Sequence, residues 1–219
     1  MKPVLAFGGT FDPVHVGHLA VARAVRDAFG AEVRMLPAAD PPHRPAPGAG
    51  AEARAEMLAL AIAGEPGLRL DRRELRRAGP SWTVDSLAEL RAELGPQAPL
   101  AWVLGADAFR GLPTWHQWAR LPELAHLVVV SRPDHDLDGL PEPLATVLSG
   151  RRANRPEALE TRPAGLWYCL RIPPHPASAS ELRRRLAEGQ PADDWLPAPV
   201  SAYIAAHGLY RTRSGGAGV

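Results

Sequence analysis

Val4-Leu5-Ala6-Phe7-Gly8-Gly9-Thr10-Phe11-Asp12-Pro13-Val14-His15-Val16-Gly17-His18 changes its periodicity midway, and that change decides the fold. Residues 4–7 are a short continuous apolar run, the pattern of a buried strand. Beyond the glycine-rich turn the apolar positions fall three or four apart, at Leu19, Ala22, Val25 and Phe29, which is helical spacing. Gly30 stands where a left-handed residue ends a helix, and residues 32–36 read as the next strand. Strand, turn, helix and strand make a βαβ unit with parallel strands.

Further strands are expected at 100–104 and 127–131, and Val84, Leu87, Leu90 and Leu94 carry helical spacing between them. The expected fold class is therefore α/β, with a doubly wound, mostly parallel sheet. Such sheets bind ligands beyond the carboxyl ends of their strands, where the glycine-rich turn falls. Residues 134–163 are rich in Pro, charge and small side chains, and are expected to form a surface excursion with one helix and no function. Ser178-Ala179-Ser180-Glu181 fits a capping box ahead of Leu182, Leu186 and a terminating Gly189. A last helix follows Pro199, with Val200, Tyr203 and Ile204 on its apolar face and Gly208 at its end. Residues 1–211 are expected to form one domain and 212–219 a flexible tail.

Composition narrows the chemistry. A net charge of +1 argues against a broad polyanion-binding surface, whereas the local cluster Arg183-Arg184-Arg185 suits one small phosphorylated ligand. Lys2 is the only lysine, so phosphate must be held by Arg, His or backbone N–H groups. The single cysteine, Cys169, excludes an intramolecular disulfide and a cysteine metal site, and reads as a small buried hydrophobe. The first apolar run is too short for a signal peptide, and nothing approaches the ~20 apolar residues of a membrane span. A cytoplasmic location is expected. Trp102, Trp118 and Trp167 are expected in the core.

The turn itself reads as a phosphate cradle. Two glycines after a strand let the backbone approach a ligand, and the following helix offers its first N–H groups to an anion. It is neither a P-loop, since no Gly-Lys-Ser/Thr follows, nor a G-x-G-x-x-G fingerprint. His15 and His18 are three apart, so on a helix they share a face and can reach one phosphate. Gly17 between them leaves room for a ligand. A purely structural turn, or a metal pair awaiting a third ligand, is the alternative.

Together these eleven residues, from Gly8 to His18, resemble the T/H-x-G-H signature of the nucleotidyltransferase superfamily. Pro41-Pro42-His43-Arg44, Pro80-Ser81-Trp82-Thr83-Val84-Asp85-Ser86-Leu87, Leu104-Gly105-Ala106-Asp107-Ala108-Phe109, Leu112-Pro113-Thr114-Trp115-His116-Gln117-Trp118 and Gly208-Leu209-Tyr210-Arg211 resemble, in order and spacing, the bacterial nicotinate-nucleotide adenylyltransferases. The resemblance implies a Rossmann-like nucleotidyltransferase fold. It also implies adenylyl transfer from ATP to nicotinate mononucleotide, giving deamido-NAD and pyrophosphate. By the same resemblance Gly8, Gly9, Thr10, Phe11, Gly105 and Asp107 line the ATP site, and His15 and His18 meet the ATP phosphates. Residues 177–183 resemble the family's second signature, which brings Ser178, Ser180 and Arg183 to the phosphates. His15, His18 and Arg183 are the implied catalytic set. Trp115 would stack on the pyridine ring, N–H groups near Thr83, Val84 and His116 would receive the nicotinate carboxylate, and His43 and Arg44 complete the implied mononucleotide site.

Four positions depart from the family pattern: Trp82 for tyrosine, Ala38 for asparagine, Ser180 for threonine, and Ala177 for a branched apolar residue. Mg²⁺ is the implied cofactor, bridging substrate phosphates without a protein metal site. Neither a nucleic-acid polymer nor a membrane is an expected partner, and monomer and homodimer both stay open. The alternatives are a same-fold enzyme acting on another phosphorylated acceptor and a non-catalytic nucleotide sensor. Both histidines and Arg183 argue against the sensor.

Overall fold

The computed structural model describes residues 1–42, 46–132, 137 and 139–211. In chain order its elements begin β1 (Val4–Gly9), α1 (Val16–Phe29), β2 (Val33–Pro37), α2 (Ala51–Ile62), β3 (Leu68–Leu70), α3 (Arg73–Arg76), α4 (Thr83–Leu94) and β4 (Leu100–Gly105). They continue with α5 (Ala106–Arg110), α6 (Leu121–Leu124), β5 (His126–Ser131), α7 (Glu142–Val147), β6 (Arg152–Ala153), β7 (Trp167–Arg171), α8 (Ala179–Ala187) and α9 (Ala198–Ala206). The tail expected at 212–219 lies outside the described residues, as do His43 and Arg44.

The strands form one sheet in the order β3-β2-β1-β4-β5-β7-β6. All of its pairings are parallel. Alternation along the strands sends side chains to two separate cores. Leu5, Val103 and Val128 join Leu19, Val25 and Phe29 of α1, Met57 and Leu58 of α2, Leu182 of α8 and Ile204 of α9. Ala6, Trp102, Leu104 and Val129 join Leu87 and Leu90 of α4, Phe109 of α5, Leu121 of α6 and Leu144 of α7 on the other face. The sheet is thus doubly wound. From β1 the order runs one way through β2 and the other way through β4, so the switch point opens between the carboxyl ends of β1 and β4.

Local chemistry explains the helix ends near that opening. Gly30 adopts φ 56° and its N–H closes α1 on Arg26 O, as the glycine's place in the sequence foretells. Leu87 and Leu90 of α4 are fully buried. Truncating either to alanine would cost about 2–5 kcal/mol and loosen the helix whose first turn borders the opening. No helix among the described residues is long and apolar enough to cross a membrane.

Several expectations need correction. The segment 134–163 is not a surface excursion: it supplies α7 and the edge strand β6, and Leu137, Leu144, Leu148 and Leu159 are all buried. Its apolar residues are sparse but each is inward, which a composition rich in Pro and charge conceals. Helix α2 and strands β3, β6 and β7 were not anticipated; β7 is the apolar run around Cys169, which is half-buried there rather than buried. Trp102 and Trp167 are in the core as expected, while Trp118 is only half-buried against it.

Candidate active site

The turn after β1 shows why its glycines are there. A Cβ on Gly8 would sit 2.3 Å from the Trp102 ring, and one on Gly9 would sit 2.9 Å from the Phe11 ring. These glycines make room for two aromatic side chains as well as for a ligand. Phe11 is 1% exposed, at φ 50°, and packs edge-on against His18 with 5.0 Å between centroids. A bulky residue in the left-handed region is strained. Its burial between Phe7 and His18 holds it there.

His15 is the N-cap of α1, with extended backbone, and His18 lies in the first turn. Their rings approach to 3.8 Å between centroids. The His15 N–H donates to His18 Nδ1 at 3.3 Å, which leaves the His18 ring proton on Nε2 when the ring is neutral. His15 is 6% exposed, and its Nδ1 is buried without a hydrogen-bond partner. Burial first, and then the electrostatic influence of His175, lowers its pKa to about 4. At neutral pH it is therefore an uncharged imidazole. Gly17, which the spacing assigns to ligand clearance, clears the His15 ring, 3.0 Å from a built Cβ, and the Ala177 carbonyl at 3.4 Å.

Beneath the turn lies a charged network that local patterns do not show. Asp12 is 5% exposed and accepts from Gly48 N–H at 2.7 Å, Ala49 N–H at 3.1 Å and the Tyr210 hydroxyl at 2.7 Å. Arg54, 1% exposed, donates to the carbonyls of Thr10, Ala39 and Ala49, so one side chain ties the ends of β1 and β2 to the start of α2. Burial lowers the Arg54 pKa, while Asp12 acts against that shift. The signal for Arg54 was one arginine set in an otherwise apolar helix face, Ala55, Met57, Leu58, Ala61 and Ile62.

Arg183 reaches the same network from α8. Its Nη1 donates to the Asp12 carbonyl at 2.7 Å and its Nη2 to Ser180 Oγ at 3.3 Å. Ser178 caps α8 by accepting from Glu181 N–H at 3.2 Å. The Glu181 carboxylate does not complete the expected box but binds Arg184 and Arg185. Ser180 and Arg183 line the cleft, whereas Ser178 lies outside its lining.

That cleft, about 850 Å³, also takes in Gly8, Gly9, Thr10, Phe11, His18, Thr83, Gly105, Asp107, Trp115 and His116. A second cleft of about 510 Å³ adjoins it, sharing His18, Gly105 and Asp107 and adding His15, Arg132 and His175. Arg132 and His175 were missed because they lie in the irregular segments that follow β5 and β7.

Thr83, which also lines the large cleft, and Val84 occupy the first turn of α4, where no intrahelical carbonyl reaches the N–H groups. The Asp85 and Ser86 N–H groups return to Trp82 O. Val84 is 1% exposed, its side chain belongs to the core, and it lies outside the cleft's lining, so of the two residues expected here only Thr83 borders the cleft. Trp115 is half-buried against the core below. Trp82 lies over the exposed His116 ring at 4.7 Å between centroids, an aromatic pair the sequence did not reveal. Glu74 was also missed. It is 5% exposed, lines the cleft, and accepts from Ser86 Oγ at 2.6 Å and from Ser81. Burial raises its pKa against these hydroxyl bonds.

Residues 6–185 match the family described as cytidylyltransferase-like. A Stenotrophomonas maltophilia (strain K279a) protein named "Probable nicotinate-nucleotide adenylyltransferase" is 54% identical over 212 residues, covering 94% of this chain and 96% of its own. A protein of the same name from Cronobacter sakazakii is 46% identical, with 94% of each chain covered. The solved Plasmodium falciparum nicotinic acid mononucleotide adenylyltransferase, complexed with NaAD, superposes with a TM-score of 0.71 at 17% identity, covering 96% of this chain and 98% of that one. Near-complete coverage at such identity, on a doubly wound sheet with the T/H-x-G-H turn at its switch point, places the chain in the nicotinate-nucleotide adenylyltransferase family.

Proposed function

We propose that the chain transfers the adenylyl group of ATP to the phosphate of nicotinate mononucleotide, releasing deamido-NAD and pyrophosphate, with residues 1–211 acting as one unit in the cytoplasm. The observation that carries this reading is the large cleft. It has His18, Ser180 and Arg183 at one end and the α4 N-terminus with Trp115 at the other. One end suits phosphates, the other a planar anionic ring. The names of the Stenotrophomonas and Cronobacter relatives agree with that pairing.

The acceptor phosphate supplies its own nucleophile. A phosphomonoester with a second pKa of about 6 is mostly dianionic at neutral pH, so no general base is required. Its oxygen forms a bond to the α-phosphorus of ATP while the bond to the bridging oxygen of the β-phosphate breaks, and pyrophosphate leaves with the electron pair. The protein holds two anions in line and stabilises charge growing on the leaving group. Arg183 brings a permanent positive charge, and His18 and the α1 N-terminus bring hydrogen-bond donors. His15, neutral in the unliganded protein, becomes easier to protonate once phosphates lie beside it.

We place the ATP phosphates along Gly8, Gly9, Thr10, Phe11, His18, Ser180 and Arg183, with the nucleoside reaching past Gly105 and Asp107 into the smaller cleft. Mg²⁺ fits this donor set, because it keeps several waters and is held by phosphate oxygens with few carboxylates. Among the described residues no group of three His, Cys, Asp or Glu side chains could hold a metal ion, so it would be held through the substrate phosphates. Bound there, the ion would neutralise phosphate charge. Mass analysis of products tests the reading, using ATP or CTP with nicotinate mononucleotide, pantetheine phosphate and glycerol phosphate. Deamido-NAD from ATP is expected, and a product from another acceptor alone would replace it with the same-fold alternative.

A further inference from the structure

Tyr210 belongs to the last stretch of described chain, yet its hydroxyl ends in the active-site network, 198 residues from its partner Asp12. Its backbone is at φ 63°, a conformation that a bulky side chain keeps only where its surroundings over-determine it. The ring packs against the loop that carries Gly48, where a built Cβ would meet Tyr210 at 3.0 Å and Arg183 Cδ at 3.3 Å. Burial first, and then the hydrogen bond to Asp12, pushes the phenol pKa far up, so the hydroxyl stays a donor throughout the working range.

The hydrogen bonds of Asp12 give that donor a purpose. Oδ1 accepts from Tyr210 and Ala49, and Oδ2 accepts from Gly48. Arg183 Nη1 is 3.6 Å from Oδ2, beyond a good hydrogen bond, and instead donates to the Asp12 main-chain carbonyl. The carboxylate is thus satisfied by neutral donors. Two of the five guanidinium N–H groups are used, on Asp12 O and Ser180 Oγ. Were the phenol donor removed, Oδ1 would lose a partner, and the nearest cation able to restore the balance is Arg183. A close ion pair with Asp12 would draw the guanidinium away from the cleft and neutralise its charge.

We propose that Tyr210 is a positioning residue: by donating to Asp12 it keeps that carboxylate from capturing Arg183, so that Arg183 stays aimed at the phosphates. This rests on the adenylyl-transfer reading for the ligand that Arg183 meets. Tyr210 lines neither cleft, so its effect on the phosphates passes through Arg183.

The experiment compares wild type, Tyr210→Phe, Gly48→Ala, Arg183→Lys and Tyr210→Phe/Arg183→Lys by steady-state pyrophosphate release, with thermal midpoints recorded for each. Wild-type turnover comes first; its absence with every acceptor would defeat the functional reading rather than this one. Tyr210→Phe is expected to lower kcat about 10-fold with KM for both substrates within about twofold, while in the Arg183→Lys background it changes kcat less than about twofold. Gly48→Ala, which crowds both the Tyr210 ring and the Arg183 stem from an exposed loop position, is expected to lower kcat similarly and carries the test should Tyr210→Phe fail to fold. Full activity in both single variants, or an equal Tyr210→Phe effect with and without Arg183, would overturn the proposal.

Discussion

At one end of the large cleft a single run, Gly8 to His18, sets the turn, the helix start and His18, with His15 lining the adjoining smaller cleft. At the other end Glu74, Ser81, Thr83, Trp115 and His116 come from separate segments and meet only after the α4 side of the sheet has packed. The end proposed for phosphate takes its turn and helix start from that local run, shaped by backbone and rings in contact, and only Ser180 and Arg183 join it from far along the chain. The acceptor end is held by long-range hydrogen bonds, with Ser81 Oγ accepting from Ala39 N–H at 2.9 Å and Ser86 Oγ donating to Glu74. On this account the phosphate end governs turnover and the acceptor end governs which mononucleotide enters, and substitutions should separate accordingly.

The largest expected effect is at the phosphate end. His18→Ala should lower kcat about 10²- to 10³-fold, roughly 3–4 kcal/mol of barrier, because its contact strengthens as charge develops on the leaving group. Mononucleotide affinity, followed by calorimetry, should hardly move; a matching loss of that affinity would erase the division between the two ends. His15→Ala is expected to behave alike.

The next effect reads the same end through acid stability. With a folded pKa of about 4 against about 6.5 unfolded, the unfolded chain takes up a proton on His15 first. Its stability contribution is intact above pH 6.5 and is lost as pH falls towards 4, by ~3 kcal/mol in total. His126, whose pKa burial also lowers, adds in the same direction, and Glu74, raised by burial, opposes it. Chemical denaturation of wild type and His15→Gln between pH 7 and 4 isolates the His15 share. An identical slope in the two would place the His15 nitrogen in contact with water.

At the acceptor end, Trp115→Ala should weaken nicotinate mononucleotide binding by ~1–3 kcal/mol, the range for stacking on a planar base, and leave ATP binding nearly unchanged. Titration calorimetry with each ligand separates the outcomes. Unchanged mononucleotide affinity would return Trp115 to the core against which it already packs. The smallest effect is expected from Glu74→Gln. Ser81 Oγ accepts N–H bonds from Ala39 and Asp40, so its proton has to go to residue 74, where an amide NH₂ would oppose it. Loosening the first turn of α4 should weaken the mononucleotide by about 1 kcal/mol, the size of one hydrogen bond. An equal loss for ATP would mean that Glu74 supports the whole cleft rather than one end.

The same contrast explains what was legible in the sequence. Strand β1, helix α1 with its Gly30 cap, and the α8 cap at Ser178 depend on neighbours a few residues away, so periodicity and capping rules reach them. Edge strand β6, two residues long, has no local signature of its own. Arg54, Asp12 and Tyr210 were visible as residues but not as partners, because their contacts close loops of tens to nearly two hundred residues. The glycines were assigned to a ligand, yet Gly8 and Gly17 are also required by Trp102 and His15, rings whose positions only the folded chain supplies.

Pyrophosphate release from ATP with nicotinate mononucleotide and, separately, with nicotinamide mononucleotide tests the central claim most directly. The N–H donors of the α4 first turn suit a carboxylate that accepts at both oxygens and would face the NH₂ of an amide. The account predicts turnover with the acid, and a kcat/KM at least about 10²-fold above that for the amide. Equal use of the two acceptors would contradict the assignment of the α4 N-terminus to the carboxylate, and no release with either would contradict adenylyl transfer itself.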